Sequence, residues 1–296
     1  MRITELFDRG EFVLTAEVGP PKGFHLDHLL HDVEEHLQDM TAINVTDCQS
    51  SVMRMGSLAT CKAIKDKGFN PIFQLTCRDR NRIALQSDLL SAAYFGIDNL
   101  LLLTGDHTTV SSGDTPQAKP VFDLDSVSLI HAVSQLEKGV DIAGNELDGE
   151  PPKFAKGAVV SPCSDSVDVQ LAKMEMKVKA GAEYFQTQAV YEPEKFIKFM
   201  EKAKQFGVPV MLGLIIPKNA GMANYMNNNV AGISVPPEMI EELKADKEKT
   251  KAGITGVEIT ARIMRECRDY CQGMHIMTLG WESKVPDLLR LAGLKS

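Results

Sequence analysis

Two acids and two amides stand where short apolar runs end. Glu17 closes "FVLTAEV" and is followed by "GPPKG", so prolines fix the backbone just behind a carboxyl. Asp106 follows Thr104 and Gly105 in "LLLLTGDH". Gln186 and Gln188 alternate in "EYFQTQAV", and alternate residues of a strand share a face. A carboxyl in Glu17's position could face a shared pocket as an acid–base group, or cap a turn at the surface. Gly-Asp after a strand is also ordinary turn chemistry, so Asp106 carries the same two readings. Buried amides need partners, either a ligand with donor and acceptor edges or neighbouring strand side chains.

Other groups are weaker. Arg78, Arg80 and Arg82 could hold a phosphate or carboxylate, or form a solvated helix start. Cys267, Cys271 and His275 are the only metal-like cluster. A zinc site needs three or four converging ligands, and His275 lies in the strand-like run "GMHIMTLG", so no metal is expected. His25, His28, His31 and His36 read as a solvated helix face. The chain has no G-x-G-x-x-G after its first run, no P-loop and no G-x-S-x-G elbow.

The elements that must position these residues alternate regularly. Eight apolar runs, over 12–18, 41–47, 71–77, 99–106, 156–162, 183–190, 209–216 and 273–280, are separated by helix-like stretches with apolar residues three and four apart. Several of these stretches end in Gly, as a helix C-cap would. Continuous apolar runs are the mark of strands buried on both faces. The pattern predicts an α/β fold, a (β/α)8 TIM barrel forming one domain over 1–296, with a doubly wound open sheet as the runner-up. Barrel function collects at the C-terminal strand ends. Those ends carry Glu17, Thr46 with Asp47, Thr76 with Cys77, Thr104 to Asp106, Ser161, Gln186 with Gln188, Pro217, and Thr278 to Trp281. Long loops are expected over 107–126 and 138–157, and another from Asn227.

The net charge of -8 and pI near 5.4 argue against nucleic acid and anionic membrane as partners. No apolar run reaches the roughly 18 residues that span a bilayer, and the N-terminus lacks a signal-like apolar stretch. The six cysteines are scattered, so reduced thiols and a cytoplasmic location are expected.

Taken in order, "TAEVGPPKG", "NVTD", "LLLLTGDH", "KPVFDLDSV", "VKAGAEYFQTQAVYE", "LIIPKNAGMANYMN" and "GMHIMTLGWESKVPDLLR" resemble the methylenetetrahydrofolate reductase family, flavin-dependent barrels that make methyltetrahydrofolate. The chain resembles the short bacterial form, with no regulatory extension, and the subgroup of anaerobes with a folate-dependent one-carbon pathway. The resemblance implies reduction of 5,10-methylenetetrahydrofolate, with hydride from reduced flavin. It makes Glu17 the general acid and Asp106 the acid beside the flavin ring. Gln188 falls on the glutamine that touches pterin and nicotinamide. Thr46, Gly105 and Lys177 fall on flavin contacts, as do Phe122 and Ser161. Tyr225 falls on an aromatic near the substrate.

Four positions depart from better-studied members. Thr104 replaces Arg, Gln74 replaces His and Gln170 replaces Asp where the flavin's phosphates and adenosine are held; Trp281 replaces an Arg that approaches the folate. FAD is the expected cofactor, and these departures keep FMN as the alternative. The electron donor is NADH or a partner protein. That subgroup is similar to enzymes working with a small zinc-containing partner subunit and iron–sulfur carriers, and the family implies a homo- or hetero-oligomer. Rival readings are a catalytic subunit inactive without its electron-transfer partner and a flavin-free pterin-binding methyltransferase barrel.

Overall fold

All eight apolar runs become strands: β1 (Val13–Val18), β2 (Ala42–Val45), β3 (Pro71–Thr76), β4 (Asn99–Leu103), β5 (Ala155–Val160), β6 (Tyr184–Ala189), β7 (Val210–Ile215) and β8 (Gly273–Met277). They pair in parallel, in sequence order, and β8 returns to β1, so the sheet is a closed barrel rather than the open sheet. The computed structural model describes residues 1–109 and 114–295; of the loop expected over 107–126, residues 110–113 lie outside the described residues.

The two-residue pleat sorts each strand's side chains into two cores. Outward residues such as Ala16, Ile43, Phe73, Leu100, Phe185, Leu212 and Ile276 meet the surrounding helices in the larger core. Inward residues at the strand starts, among them Val13, Ala42, Ile72, Leu101, Tyr184 and Met211, form a smaller apolar plug. Ile3 and Leu6 of the short helix Ile3–Asp8 seal that floor, and the Asn99 side chain accepts from the Ile3 amide at 2.8 Å. Above the plug the interior turns polar, with Thr15, Asn44, Gln186 and His275 all buried.

Helices follow the strands at the expected places, including Asp27–His36, Arg82–Tyr94, Val167–Ala180 and Pro193–Ala203. Gly181 ends the third of these in a left-handed conformation, as its sequence position predicts. Asp125 and Ser128 form a reciprocal cap at the start of Ser126–Leu136. The region from Asn227 differs from the expected loop. Asn227 lies in the helix Ala220–Asn229, its amide bonds both the N–H and the carbonyl of Val235, and the helices Pro237–Ala245, Lys247–Ala252 and Ile254–Cys267 follow before β8.

Candidate active site

The C-terminal ends of the strands surround a cavity of about 410 Å³. Glu17, Asp106 and Gln188, from three different strand ends, line it together. Glu17 faces inward because it follows Val13 and Thr15 at alternate positions of β1, and it is 9% exposed. Gln74 on β3 donates to Glu17 Oε2 at 2.9 Å, and Thr278 donates to the Glu17 carbonyl at 2.8 Å. The His275 ring, from β8, stands 3.7 Å from the same carboxyl oxygen.

Beneath the acid lies a buried polar tier. Gln186 and Asn44 exchange amide hydrogen bonds of 2.9 and 3.2 Å across the barrel. Gln186 Nε2 also reaches Thr15 Oγ1 at 3.3 Å, and Thr15 Oγ1 meets His275 Nδ1 at 2.9 Å. Gln186 is thus satisfied by side chains of β1 and β2 across the barrel. Gln188 is not held in that tier. The β6–β7 register shifts between Gln186 and Ala189, and Gln188 Oε1 accepts from the Ala189 amide while the residue lines the cavity. Such a shift re-aims a side chain beside a site. Gly213 permits it, since a Cβ there would stand 2.0 Å from the Thr187 carbonyl oxygen.

A further strand-end acid, Asp47, is a structural hub. Its side chain is wholly buried and accepts from the Thr76 amide and hydroxyl at 2.9 Å each, and from Arg80 at 2.7 and 3.1 Å. The arginine trio is therefore not simply a solvated helix start. Arg78 is buried on Asp79 and the Cys48 carbonyl while lining the cavity, Arg80 bridges Asp47 and Asp88, and Arg82 pairs with Asp123. Arg82 holds the exposed Asp123 carboxyl down near 2 and so ties the 120s loop to its helix.

Thr46 lines the cavity with a buried Oγ1 that has no partner among the described residues. Lys177 reaches the Val159 carbonyl at 2.6 Å; burial, helped by Lys173, depresses its ammonium to about 8. Gly105 takes φ 86° where the chain turns over Arg78, and a Cβ would stand 3.1 Å from that side chain's Cβ. The Thr104 hydroxyl accepts from the Ser126 amide at 3.0 Å, and the Ser161 amide donates to Gln170 at 3.3 Å. An orphaned hydroxyl, a lysine paired with a carbonyl rather than an acid, and a backbone turn in one cavity suit an anionic ligand, as a flavin is.

The methylenetetrahydrofolate reductase family model matches residues 2–293. The chain belongs to that family. It is 26% identical over 322 residues to methylenetetrahydrofolate reductase 2 of Schizosaccharomyces pombe, covering 99% of this chain and 48% of that protein. A probable NADH form from rice is also 26% identical, and the chain spans 50% of its length, so these relatives are about twice as long. The 5,10-methylenetetrahydrofolate reductase of Salmonella typhimurium is 23% identical, covering 92% of this chain and 87% of that protein. Among solved structures, an uncharacterized Clostridium thermocellum protein that binds two copies of 5-methyl-5,6,7,8-tetrahydrofolic acid superposes with TM-score 0.68 at 15% identity, covering 99% of this chain and 98% of that one. That likeness concerns the fold alone.

Against this reductase-family barrel, the expected site residues divide. Glu17, Thr46, Gln74, Thr104, Gly105, Asp106, Ser161, Lys177 and Gln188 line the main cavity. Phe122 lines an adjoining pocket that shares Thr104 and Gly105, and its ring stacks on His107 at 5.9 Å. Tyr225, 52% exposed on the helix Ala220–Asn229, does not line the main cavity. Nor does Trp281, which packs against Gly253 with Lys218 Nζ 4.9 Å over its ring. Among the described residues no group of three or more candidate metal ligands converges. Sequence reasoning missed Thr15 and Asn44 and read His275 only as part of a metal-like cluster; for Thr15 and Asn44 the signal was a polar side chain two positions before a strand-end polar one, on the same face. No helix among the described residues is long and apolar enough to cross a membrane.

Proposed function

We propose that the chain, acting as one domain, reduces 5,10-methylenetetrahydrofolate to 5-methyltetrahydrofolate. The observation that carries the reading is Glu17, held by Gln74, sharing one cavity with Asp106 and Gln188 in a chain of this family. The substrate's one-carbon bridge joins two nitrogens, and opening it requires a proton on the departing nitrogen. Glu17 is the donor, aimed by Gln74 from the side and by the Pro20–Pro21 turn behind it. Asp106, as a carboxylate on the rim, favours the cation that ring opening leaves. Gln188 holds the pterin edge through its amide. Thr46, Gly105 and Lys177 bind the flavin, FAD before FMN, with Thr104, Ser161, Gln74 and Phe122 around it; the flavin supplies the hydride. Tyr225 and Trp281 contact the part of the folate that lies outside the cavity. NADH or a partner protein is the electron donor, and the enzyme works in the cytoplasm as an oligomer.

The visible spectrum of the purified protein is the first test, with mass spectrometry of the released chromophore. A yellow protein releasing FAD or FMN, active on 5,10-methylenetetrahydrofolate, is expected. A colourless protein would replace this reading with a flavin-free pterin barrel. NADH oxidation by the lone chain then separates a self-sufficient enzyme from one that needs a small zinc-containing subunit and iron–sulfur carriers.

A further inference from the structure

His275 sits in the barrel interior, 3% exposed, and none of the steps above uses it. Its sequence neighbours do not claim it: Cys271 Sγ turns to the Cys267 carbonyl at 3.5 Å, while the ring is turned to Thr15 and Glu17. The surrounding polar groups bear on which ring nitrogen carries the proton. Gln186 Nε2 lies 3.2 Å from Asn44 Oδ1, 3.3 Å from Thr15 Oγ1 and 3.9 Å from Met211 Sδ, and its two hydrogens suit the first two. Thr15 Oγ1 therefore accepts from Gln186. Turned toward His275 Nδ1, 2.9 Å away, its one hydrogen makes that nitrogen an acceptor. A neutral ring whose Nδ1 accepts must carry its proton on Nε2, the atom 3.7 Å from Glu17 Oε2.

The geometry points to His275 as a positioning residue for the Glu17 carboxyl, kept by Thr15 in the tautomer whose N–H is directed at that carboxyl. The inference rests on the reading of Glu17 as the acid. Gln74 holds the carboxyl from one strand and His275 approaches it from another. A donor on the second side favours the carboxylate that remains after the proton has left, and it costs little because the ring is already oriented.

Nitrogen-15 NMR of the histidine rings, assigned with a His275→Gln variant, tests this directly. The wild-type protein should show His275 protonated on Nε2 and bare on Nδ1. Thr15→Val should mix the two tautomers and lower kcat about tenfold, with KM for the folate within about twofold. His275→Gln, which keeps an N–H near the Nε2 position, should retain more turnover than His275→Phe. A ring protonated on Nδ1 in the wild type, or a Thr15→Val enzyme with kcat within about twofold of wild type, overturns the inference. If Glu17→Gln retains full turnover, the acid reading fails while the wild-type tautomer still decides the arrangement of His275.

Discussion

Gln74 Nε2 lies 2.9 Å from Glu17 Oε2, so the cavity's acid is held by a neutral amide, whereas the nearby Asp47 is gripped by the Arg80 guanidinium at 2.7 Å. Two carboxyls at the ends of adjacent strands thus have opposite fates. The arginine ties Asp47 into a structural hub. The amide orients Glu17 without setting a counter-charge against it.

Glu17→Gln should leave the flavin bound and reducible yet lower turnover of 5,10-methylenetetrahydrofolate by about 10²–10⁴-fold, the usual range for a lost general acid. Single-turnover oxidation of the reduced enzyme by the folate measures this. Near wild-type turnover removes Glu17 from the chemistry.

Asp106→Asn should make the bound flavin easier to reduce, because a negative charge near the ring opposes electron uptake. Asp106 is exposed, so solvent and salt limit the rise in midpoint to about 30 mV. A redox titration with an unchanged or lower midpoint contradicts the assignment.

Lys177 should make stability depend on pH in the alkaline range. Its ammonium falls from 10.5 to about 8 on folding. Below about 8 both states carry the proton; between there and 10.5 the unfolded chain binds it and the folded chain does not, so stability rises with pH. At about 1.4 kcal/mol per unit the gain is roughly 3 kcal/mol across the window. Denaturant unfolding of the ligand-free chain at several pH values should show this slope, and Lys177→Met should lack it. Equal slopes refute the burial argument.

Asp47→Asn should be among the most damaging single changes, costing about 3–5 kcal/mol, because it strips the mostly buried Arg80 of its main partner. Asp88→Asn, which removes only the half-buried second partner, should cost less. Comparable midpoints for the two variants in urea would show that Asp47 is not the hub described.

The barrel was legible because its strands are apolar on both faces, as in "NLLLL" and "PVMLGLII", and because glycines such as Gly181 mark helix ends. The rim residues followed once strand ends were read as one place. The tier below them was hidden, since alternation tells which side chains share a face but not which face is the interior. His275 illustrates the difficulty: four residues after Cys271 it looks like a metal partner, and only the pleat of β8 turns it toward Thr15 and Glu17. Asn227 misled for a different reason. The asparagine-rich "NNNVAGIS" has loop composition, yet its first three residues lie inside a helix and Asn227 clasps Val235.

The floor made by Ile3, Leu6 and the first inward tier closes the strand-start end of this chamber among the described residues. Whatever reaches Glu17 therefore comes and goes at the rim end, so a spent molecule stands between its successor and the acid until it leaves. Traffic confined to one end imposes turn-taking on visitors, whatever their affinities.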